Sequence, residues 1–306
     1  MTWFLLALIG PLLYAMTNHI DKILLEKYFK EGGVGTLLLF SSLLSILALP
    51  VIYMTEPDIL NVSLFNAMVL VLAGILDLLV LFCYFMALKD DEASIIVVFY
   101  QLVPIFGLGL GYLILGETLT QIQLIAMGII ILGTTIVAFE IDTDNNFTVR
   151  RGTVFYMLAA GIFWALEATI FKMVALEEDV LQSLFWNSAI LVVLGSFMFC
   201  FITKYRKHFI AAVRNNSRNI LGANVVNEVL YMLGNTALAF AAMLAPIALI
   251  LLMESFQAFF VLLIGIILTL FFPHISEEKI HLQNVIQKLL AITVTAVGTY
   301  ILLFVA

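Results

Sequence analysis

Charged residues are scarce in this sequence. Asp, Glu, Lys and Arg together make up 11% of the 306 residues, whereas hydrophobic residues make up 63%. A soluble globular domain has about a quarter of its residues charged and about half apolar. The composition therefore excludes a soluble fold for most of the chain and predicts an integral membrane protein.

The sequence also has little of what metal centres and covalent catalysis require. Its two cysteines, Cys83 and Cys200, lie in separate apolar segments and give neither a disulfide framework nor a metal-ligand spacing. We expect both thiols to be buried packing residues. The sequence contains no H-E-x-x-H and no G-x-S-x-G motif. We expect no catalytic residues, no metal and no cofactor.

Long apolar runs fill most of the remaining sequence. A helix needs roughly 20 apolar residues to cross a hydrocarbon core of about 30 Å. The runs are continuous, unlike the alternating segments of about ten residues that transmembrane β-strands show. We predict an all-α integral membrane protein with ten transmembrane helices. They lie near residues 2–21, 34–54, 64–88, 93–115, 121–140, 152–174, 181–203, 219–243, 246–272 and 286–305.

Basic residues are missing from every second loop. Of the 14 Lys and Arg, 13 lie in or beside the loops that follow predicted helices 1, 3, 5, 7 and 9. The alternate loops carry acids instead, as in "TEPD" and "LEEDV". Because basic loops stay in the cytoplasm, this asymmetry predicts a multi-pass protein of the cell membrane with both termini outside. We expect the remaining basic residue, Lys172, to extend toward a membrane interface rather than to pair with Glu167.

The two halves of the sequence resemble each other. The segment "ALIGPLLYAMTNHIDK" (7–22) aligns with "LAAGIFWALEATIFK" (158–172) at an offset of 150, which pairs Lys22 with Lys172. Because each half has five helices, the second half must cross the membrane in the opposite sense. We therefore predict two inverted five-helix repeats, residues 1–145 and 146–306. Inverted repeats are typical of secondary transporters, whose binding sites lie near the midplane of the membrane.

One segment carries a family resemblance. Residues 84–120, "YFMALKDDEASIIVVFYQLVPIFGLGLGYLILGETLT", combine an Ala-Leu pair, a short loop, a proline within a helix and a closing Leu-Gly-Glu. This arrangement resembles the EamA-type branch of the drug/metabolite transporter superfamily. In the second half, "LILLMESFQAFF" (249–260) resembles that family's Leu-Glu-Pro helix, with Ser255 where proline is usual. The resemblance implies membrane transport of small metabolites or drugs. Many members keep their termini in the cytoplasm, opposite to the orientation that the loop charges predict.

The pattern "GLGLG" (107–111) lies inside this resembling segment. It does not follow a strand, so a dinucleotide-binding loop is a poor explanation. Gly107 and Gly111 have the spacing of small residues at a close helix–helix contact. We expect them to serve packing.

Four acidic residues lie well inside apolar segments: Asp77, Glu167, Glu228 and Glu254. On insertion scales, each ionised acid at the centre of a membrane helix costs roughly 2.5–3.5 kcal/mol. Such residues face the bundle interior or a water-filled cavity and mark substrate or proton pathways. For any one of them, a protonated carboxyl that hydrogen-bonds a neighbouring helix is an equally good explanation.

Helical spacing groups these acids with other polar and aromatic residues. In predicted helix 8, polar side chains at i, i+4, i+7 and i+11 from residue 224 form one stripe. A polar stripe cannot face lipid, so we expect it to line a cavity. Near the end of helix 1, Asn18, His19 and Asp21 fit either a gate or an interfacial polar cap. The expected substrate-binding residues are Glu254, Glu228, Tyr231, Glu167, Trp164, Asn235, Asn224, Asp77, Tyr84, Gln257 and Tyr100.

These residues support a secondary transporter that works by alternating access. Carboxyls withdrawn from water can load and release a proton that drives transport. Alternatively, they balance the charge of a cationic or amine-bearing metabolite or drug. Aromatic residues, among them Trp164 and Trp186, would then add cation–π contacts of about 0.5–2 kcal/mol each. Export of amino acids or of other neutral or anionic metabolites is the alternative within the same superfamily.

Other classes of protein fit the sequence less well. In a polytopic membrane enzyme, the cluster Asp90-Asp91-Glu92 could bind Mg²⁺ and a pyrophosphate, but such sites need a second acidic motif nearby. A scaffold would not need four buried acids, and a channel usually builds its pore by oligomeric symmetry. As partners we expect a small-molecule substrate, the lipid bilayer and protons as a candidate coupling ion. We expect no nucleic acid, and a monomer or homodimer.

Overall fold

The computed structural model describes residues 1–29, 33–55, 58–90, 96, 99–138, 151–271 and 282–305. Over these ranges the chain is helical and contains no strand. The α-helices are α1 (Thr2–Ile23), α2 (Gly33–Leu44), α3 (Ala48–Tyr53), α4 (Leu64–Asp90), α5 (Val103–Leu110), α6 (Gln121–Ala138), α7 (Arg151–Glu177), α8 (Val180–Phe201), α9 (Thr203–Ala242), α10 (Ile247–Glu254), α11 (Gln257–Phe271) and α12 (Leu282–Phe304).

Seven helical segments within the described ranges are long and apolar enough to cross a membrane. Three shorter apolar helices accompany them, at Tyr100–Leu115, Gln121–Ile136 and Leu289–Phe304. Large apolar side chains such as Leu5 and Phe155 are exposed on the outer surface of the bundle. Such a surface suits lipid chains rather than water. The protein is a multi-pass membrane protein, and the prediction of an all-α membrane fold is confirmed. The seven long segments are Thr2–Ile23, Gly33–Tyr53, Leu64–Lys89, Arg151–Glu177, Val180–Phe201, Arg218–Ala242 and Ile247–Leu268.

The main helix contacts join the first half of the chain to the second. Helix α4 packs along α7, and α1 packs along α9. Helix α6 packs along α12, α5 packs on α10, and α2 packs on α8. The buried apolar core runs through these contacts and includes Phe40, Phe85, Ile130 and Met157. The two halves therefore form one interleaved bundle.

Several apolar segments are interrupted. A 3-10 turn, Ser45–Leu47, separates α2 from α3. Helix α10 ends at Glu254 and α11 begins at Gln257, with a turn between them in which Ser255 N–H donates to Leu252 O at 3.0 Å. In transporters, interrupted membrane helices present polar groups to a cavity.

The glycines of "GLGLG" bring α5 close to α10. A Cβ at Gly111 would lie 2.8 Å from Ile247 Cγ2, and one at Gly107 would overlap Leu251 Cδ1. The absence of a side chain at both positions lets the two helices touch. The expected packing role of Gly107 and Gly111 is confirmed.

A closer approach joins α6 to α12 and gives a testable stability difference. A Cβ at Gly133 would lie 2.7 Å from Thr295 N and 3.1 Å from Ala291 O, and backbone atoms cannot rotate away. A Cβ at Gly128, on the same helix, would meet no atom within 4 Å. Alanine is the better helix former at both sites by about 1 kcal/mol, but overpacking costs about 1–3 kcal/mol.

We therefore expect Gly133→Ala to lower the melting temperature of the detergent-solubilised protein. Gly128→Ala is the matched control and should leave the melting temperature unchanged or slightly raised. The two variants are compared in one thermal-denaturation series. Equal melting temperatures for the two variants would contradict the close contact between α6 and α12.

Outside the membrane segments, Glu178 fixes the start of α4 against the end of α7. Asn66 Nδ2 donates to Glu178 Oε1 at 2.7 Å, and Ser63 N–H donates to the same oxygen at 3.1 Å. The Asn66 hydrogen bond, followed by the Ser63 backbone bond, lowers the pKa of Glu178. These bonds hold together two helices that contribute to the site described below.

One expectation from the sequence is wrong. Cys83 is buried, but Cys200 is exposed at the end of α8, because apolar composition does not reveal which face of a membrane helix points outward. Helix α9 begins at Thr203 because the basic segment that precedes the apolar run is itself helical. The apolar part of α9, Arg218–Ala242, agrees with the expected membrane segment near 219–243.

Candidate functional site

A cavity of about 80 Å³ lies between α1, α4, α7 and α9, and we call it the central cavity. Two interrupted segments complete its wall, with Tyr100 before α5 and Gln257 at the start of α11. Its remaining lining residues are Tyr14, Thr17, Asn18, Asp21, Asp77, Val80, Leu81, Tyr84, Ala160, Trp164, Glu167, Tyr231 and Asn235.

Three carboxyls line the central cavity, and no Lys, Arg or His is among its described lining residues. Asp77 accepts hydrogen bonds from Tyr231 OH at 3.1 Å and from Asn187 Nδ2 at 3.4 Å. Glu167 makes no hydrogen bond with any residue in the described ranges. Of the three carboxyls, that of Glu167 is therefore the one whose oxygens are most available to accept a hydrogen bond from a ligand.

Asp21 is held by its neighbours. Its Oδ1 accepts from Asn227 Nδ2 at 2.8 Å, and its Oδ2 accepts from Tyr84 OH at 3.3 Å. Tyr84 OH also lies 2.8 Å from Asn18 Oδ1. These contacts connect α1 to both α4 and α9 at the cavity wall.

Aromatic rings form a continuous part of the same wall. Tyr14 stacks on Tyr231 with 5.4 Å between the ring centroids. Trp164 meets Tyr100 edge to face at 5.4 Å and lies 6.3 Å from Tyr14. The faces of such rings attract cations through their quadrupoles. Rings and carboxyls together give the cavity a negative electrostatic character.

A second cavity, of about 40 Å³, adjoins the first, and we call it the Glu254 cavity. It shares Tyr14, Trp164, Glu167 and Asn235 with the central cavity. Glu254 is fully buried at the end of α10, and neither of its carboxyl oxygens has a hydrogen-bond partner among the described residues. An ionised carboxylate without partners is costly in such a place.

A third cavity, of about 30 Å³, lies between α1, the Ser45 turn and α9, and we call it the small acidic cavity. It shares Thr17, Asp21, Leu81 and Tyr231 with the central cavity. Glu228 Oε1 accepts a hydrogen bond from Ser45 Oγ at 2.9 Å. The three cavities thus lie side by side inside the bundle and share lining residues.

Ten of the eleven residues expected from the sequence line one of these three cavities. The exception is Asn224, whose Nδ2 donates to Ile220 O one turn earlier in α9 at 2.7 Å. Glu254 and Glu228, both expected at the substrate site, line different cavities, Glu254 together with Glu167 and Glu228 together with Tyr231. Glu228 faces the small acidic cavity, whereas Glu254 faces the Glu254 cavity beside α7. Trp186 lines none of the three and donates to Ile59 O at 3.0 Å.

The expected substrate-binding residues included none from α1, although Asn18 and Asp21 were candidates for a gate. Tyr14, Asn18 and Asp21 follow one another at i, i+4 and i+7, so they form one stripe. The same spacing rule that identified α9 would have identified them. Asp21 adjoins Lys22 and a polar loop, and this position made it look interfacial. It is in fact buried and lines two cavities.

Lys172 does not extend to a membrane interface. It is buried, and its Nζ lies 2.5 Å from Glu117 Oε1 and 2.7 Å from Ala245 O. The other oxygen of Glu117 accepts a hydrogen bond from Ile247 N–H at 2.7 Å. Glu117 is the acid of the Leu-Gly-Glu motif. The motif therefore fastens the end of one apolar helix to α7 and to the start of α10.

Asp91 and Glu92 of the acidic cluster lie outside the described residues. In the part of the chain that the structure describes, no group of three or more His, Cys, Asp or Glu is arranged to hold a metal ion.

Residues 1–139 match the model of the EamA-like transporter family, in the drug/metabolite transporter superfamily, so the resemblance seen in the sequence is confirmed. The matched family is described as one of transporters.

The comparison with solved structures supports the fold. One protein of known crystal structure aligns with 99% of this chain and 96% of its own length, with a TM-score of 0.62 and 14% sequence identity. This likeness concerns the fold alone. No curated protein matches the chain.

Proposed function

We propose that the protein is a secondary transporter for a small cationic or amine-bearing metabolite, and that the central cavity binds it. One observation carries the proposal. Three carboxyls and the rings of Trp164 and several tyrosines line the cavity, and its described lining residues include no basic side chain. A cation entering the cavity loses hydration, and unpaired negative charge with aromatic faces offsets that loss.

The volume of the cavity favours a small substrate. Pockets that enclose drug-sized ligands have volumes of about 300–1,000 Å³. The central cavity has about 80 Å³. We therefore propose a metabolite of few heavy atoms, with its ammonium group against Glu167 and Trp164.

We propose that the two halves, residues 1–145 and 146–306, are inverted repeats and that the chain crosses the membrane ten times. The seven long apolar segments and three shorter ones support ten crossings. The helix contacts support the repeats, because exchanging equivalent helices of the two halves leaves the main contacts unchanged. The contact of α1 with α9 becomes the contact of α7 with α4. The contacts of α5 with α10 and of α6 with α12 each become themselves, because their two helices are equivalent to each other.

Lys22 and Lys172 support the same relationship. They occupy equivalent positions at the offset of 150, and each donates a hydrogen bond to a backbone carbonyl in or beside another helix. Lys22 Nζ donates to Leu88 O at 3.3 Å, and Lys172 Nζ donates to Ala245 O at 2.7 Å. Inverted repeats permit alternating access, in which the two sides of the bundle open in turn. The loop charges support external termini.

Uptake by proteoliposomes tests the proposed function. We expect labelled small amines to accumulate under an imposed pH or membrane potential, and their uncharged isosteres and small carboxylates not to do so. Liposomes without protein are the control. Transport of neutral amino acids or of organic anions without transport of amines would overturn the cationic substrate in favour of the alternative within the superfamily.

We expect Glu167→Gln to weaken the apparent affinity for the transported amine by about tenfold or more, equivalent to at least about 1.4 kcal/mol. The substitution keeps the shape of the side chain and removes its charge. Asp58→Asn, at an exposed carboxyl, is the control and should transport like the parent. An unchanged concentration dependence of amine uptake in Glu167→Gln would contradict a direct role of this carboxyl.

A further inference from the structure

The small acidic cavity has the chemistry of an ion site rather than of a second metabolite site. Two carboxyls, Asp21 and Glu228, line it together with the hydroxyl residues Thr17, Ser41 and Ser45. All of these offer oxygen, the ligand that hard cations prefer. Its volume of about 30 Å³ exceeds the roughly 10–15 Å³ that one water molecule needs, so the cavity has room for a guest of ionic size.

Asn227 adds an independent sign that a ligand belongs there. Its side chain lines the cavity and is more than nine-tenths buried. Its Nδ2 is committed to Asp21 Oδ1 at 2.8 Å, whereas its Oδ1 accepts no hydrogen bond from any described residue. A buried amide oxygen without a donor costs free energy, and a bound cation would remove that cost.

The interruption of the membrane helix at Ser45 lies at the same place. The 3-10 turn Ser45–Leu47 brings the Ser45 hydroxyl to Glu228, and its break in regular hydrogen bonding occurs beside the cavity. Interrupted helices coordinate coupling ions in several transporter folds.

We infer that the small acidic cavity binds a dehydrated Na⁺ ion, held by the carboxyls of Asp21 and Glu228, the amide oxygen of Asn227 and the hydroxyl oxygen of Ser45. The volume is too small for Mg²⁺, which retains several of its waters. The all-oxygen lining does not suit a transition metal, and the described residues contain no cluster of His, Cys, Asp and Glu for one.

The position of the site couples it to the central cavity. Asp21 and Tyr231 line both cavities, and Tyr231 OH donates to Asp77 at 3.1 Å. An ion on Asp21 fixes the side chains that also form the wall of the central cavity, so the ion and the amine should increase each other's affinity. This coupling rests on the proposed function, whereas the ion site itself does not.

Thermal denaturation of the detergent-solubilised protein tests the ion site without any transport assay. The protein is melted in NaCl and in KCl at equal ionic strength, with CaCl₂ as a separate arm. We expect Na⁺ at about a hundredfold its Kd to raise the melting temperature by roughly 5 °C relative to K⁺. The variants Glu228→Gln and Ser45→Ala should abolish or reduce this rise, and Asp58→Asn should retain it.

Several results would overturn the site. They are equal melting temperatures in Na⁺ and K⁺, a rise with Ca²⁺ but not with Na⁺, and a Na⁺-dependent rise that both variants retain. A melting temperature that responds to pH alone would assign the cavity to a proton. Should Glu228→Gln fail to fold, Ser45→Ala gives the decisive comparison, because it removes one hydroxyl and no charge.

A proteoliposome assay separates the ion site from the proposed function. An inward Na⁺ gradient should lower the KM for amine uptake in the parent and leave it unchanged in Ser45→Ala. If Na⁺ stabilises the protein but no amine is transported, the proposed function fails and the ion site remains. If amines are transported and Na⁺ neither stabilises the protein nor lowers KM, the ion site fails and the proposed function remains.

Discussion

Replacing Glu254 by glutamine should leave the protein folded and abolish gradient-driven accumulation of its substrate. Glu254 is fully buried at the break between α10 and α11, and its carboxyl oxygens have no partner in the described part of the chain. No structural hydrogen bond is therefore lost in the variant. Glutamine keeps the volume of the side chain and cannot bind or release a proton. A carboxyl in a membrane helix that has no structural partner is best explained by a ligand or a proton.

Two transport modes distinguish these roles. If Glu254 carries a proton, Glu254→Gln should retain exchange of substrate at equal concentrations on both sides and lose uptake driven by a pH gradient. If it neutralises a cationic substrate, both modes should be lost. Normal uptake in both modes, with an unchanged melting temperature, would contradict either role and leave the carboxyl without a function in transport.

Removing either partner of the Glu117–Lys172 pair should produce the largest loss of stability. The Lys172 side chain is 5% exposed and that of Glu117 is 20% exposed, so neither charge is well hydrated once its partner is gone. Breaking a buried ion pair in this way costs about 3–5 kcal/mol. We expect Lys172→Met and Glu117→Gln each to lower the melting temperature and the yield of folded protein.

The double variant is the informative control. Lys172→Met combined with Glu117→Gln removes both charges, and the introduced amide keeps an oxygen for Ile247 N–H, which donates to Glu117 at 2.7 Å in the parent. The double variant should therefore be more stable than either single variant. A double variant that loses the sum of the two single losses would show that the pair is not energetically coupled.

The broad architecture follows from local properties of the sequence. Crossing a membrane requires long apolar helices, and this requirement makes their existence and type predictable from composition alone. The stripe on α9 was predictable for a similar reason, since helical spacing decides which side chains share a face. Glu228, Tyr231 and Asn235 do line cavities.

Other features depend on contacts distant in sequence. Glu117 and Lys172 meet only because α7 packs near the end of the fourth apolar segment, and no local pattern encodes that register. The position of Asn224 illustrates the converse. It continues the stripe, yet its amide bonds its own helix, because the neighbouring cavity ends before reaching it.

The break after Glu254 was also hidden. The chain has Ser255 where a proline would have signalled an interruption, and the run from Ile247 is uniformly apolar. The break instead becomes visible in the backbone, where Ser255 and Phe256 N–H groups bond three residues back rather than four. Tertiary packing decides where such a break occurs, and the break in turn determines the direction of the Glu254 side chain.

The central claim, that an acidic aromatic cavity binds a small cation, can be tested by the fluorescence of one residue. The chain has three tryptophans, and only Trp164 lines the central cavity, so Trp3→Phe with Trp186→Phe leaves a reporter inside it. The reporter protein is titrated with a panel of small alkylammonium ions and with the uncharged carbon isostere of each. We predict a saturable change in Trp164 emission with at least one of the cations, none with its isostere, and loss of the response in Glu167→Gln. Equal responses to cation and isostere, or no response to any cation, would contradict the claim.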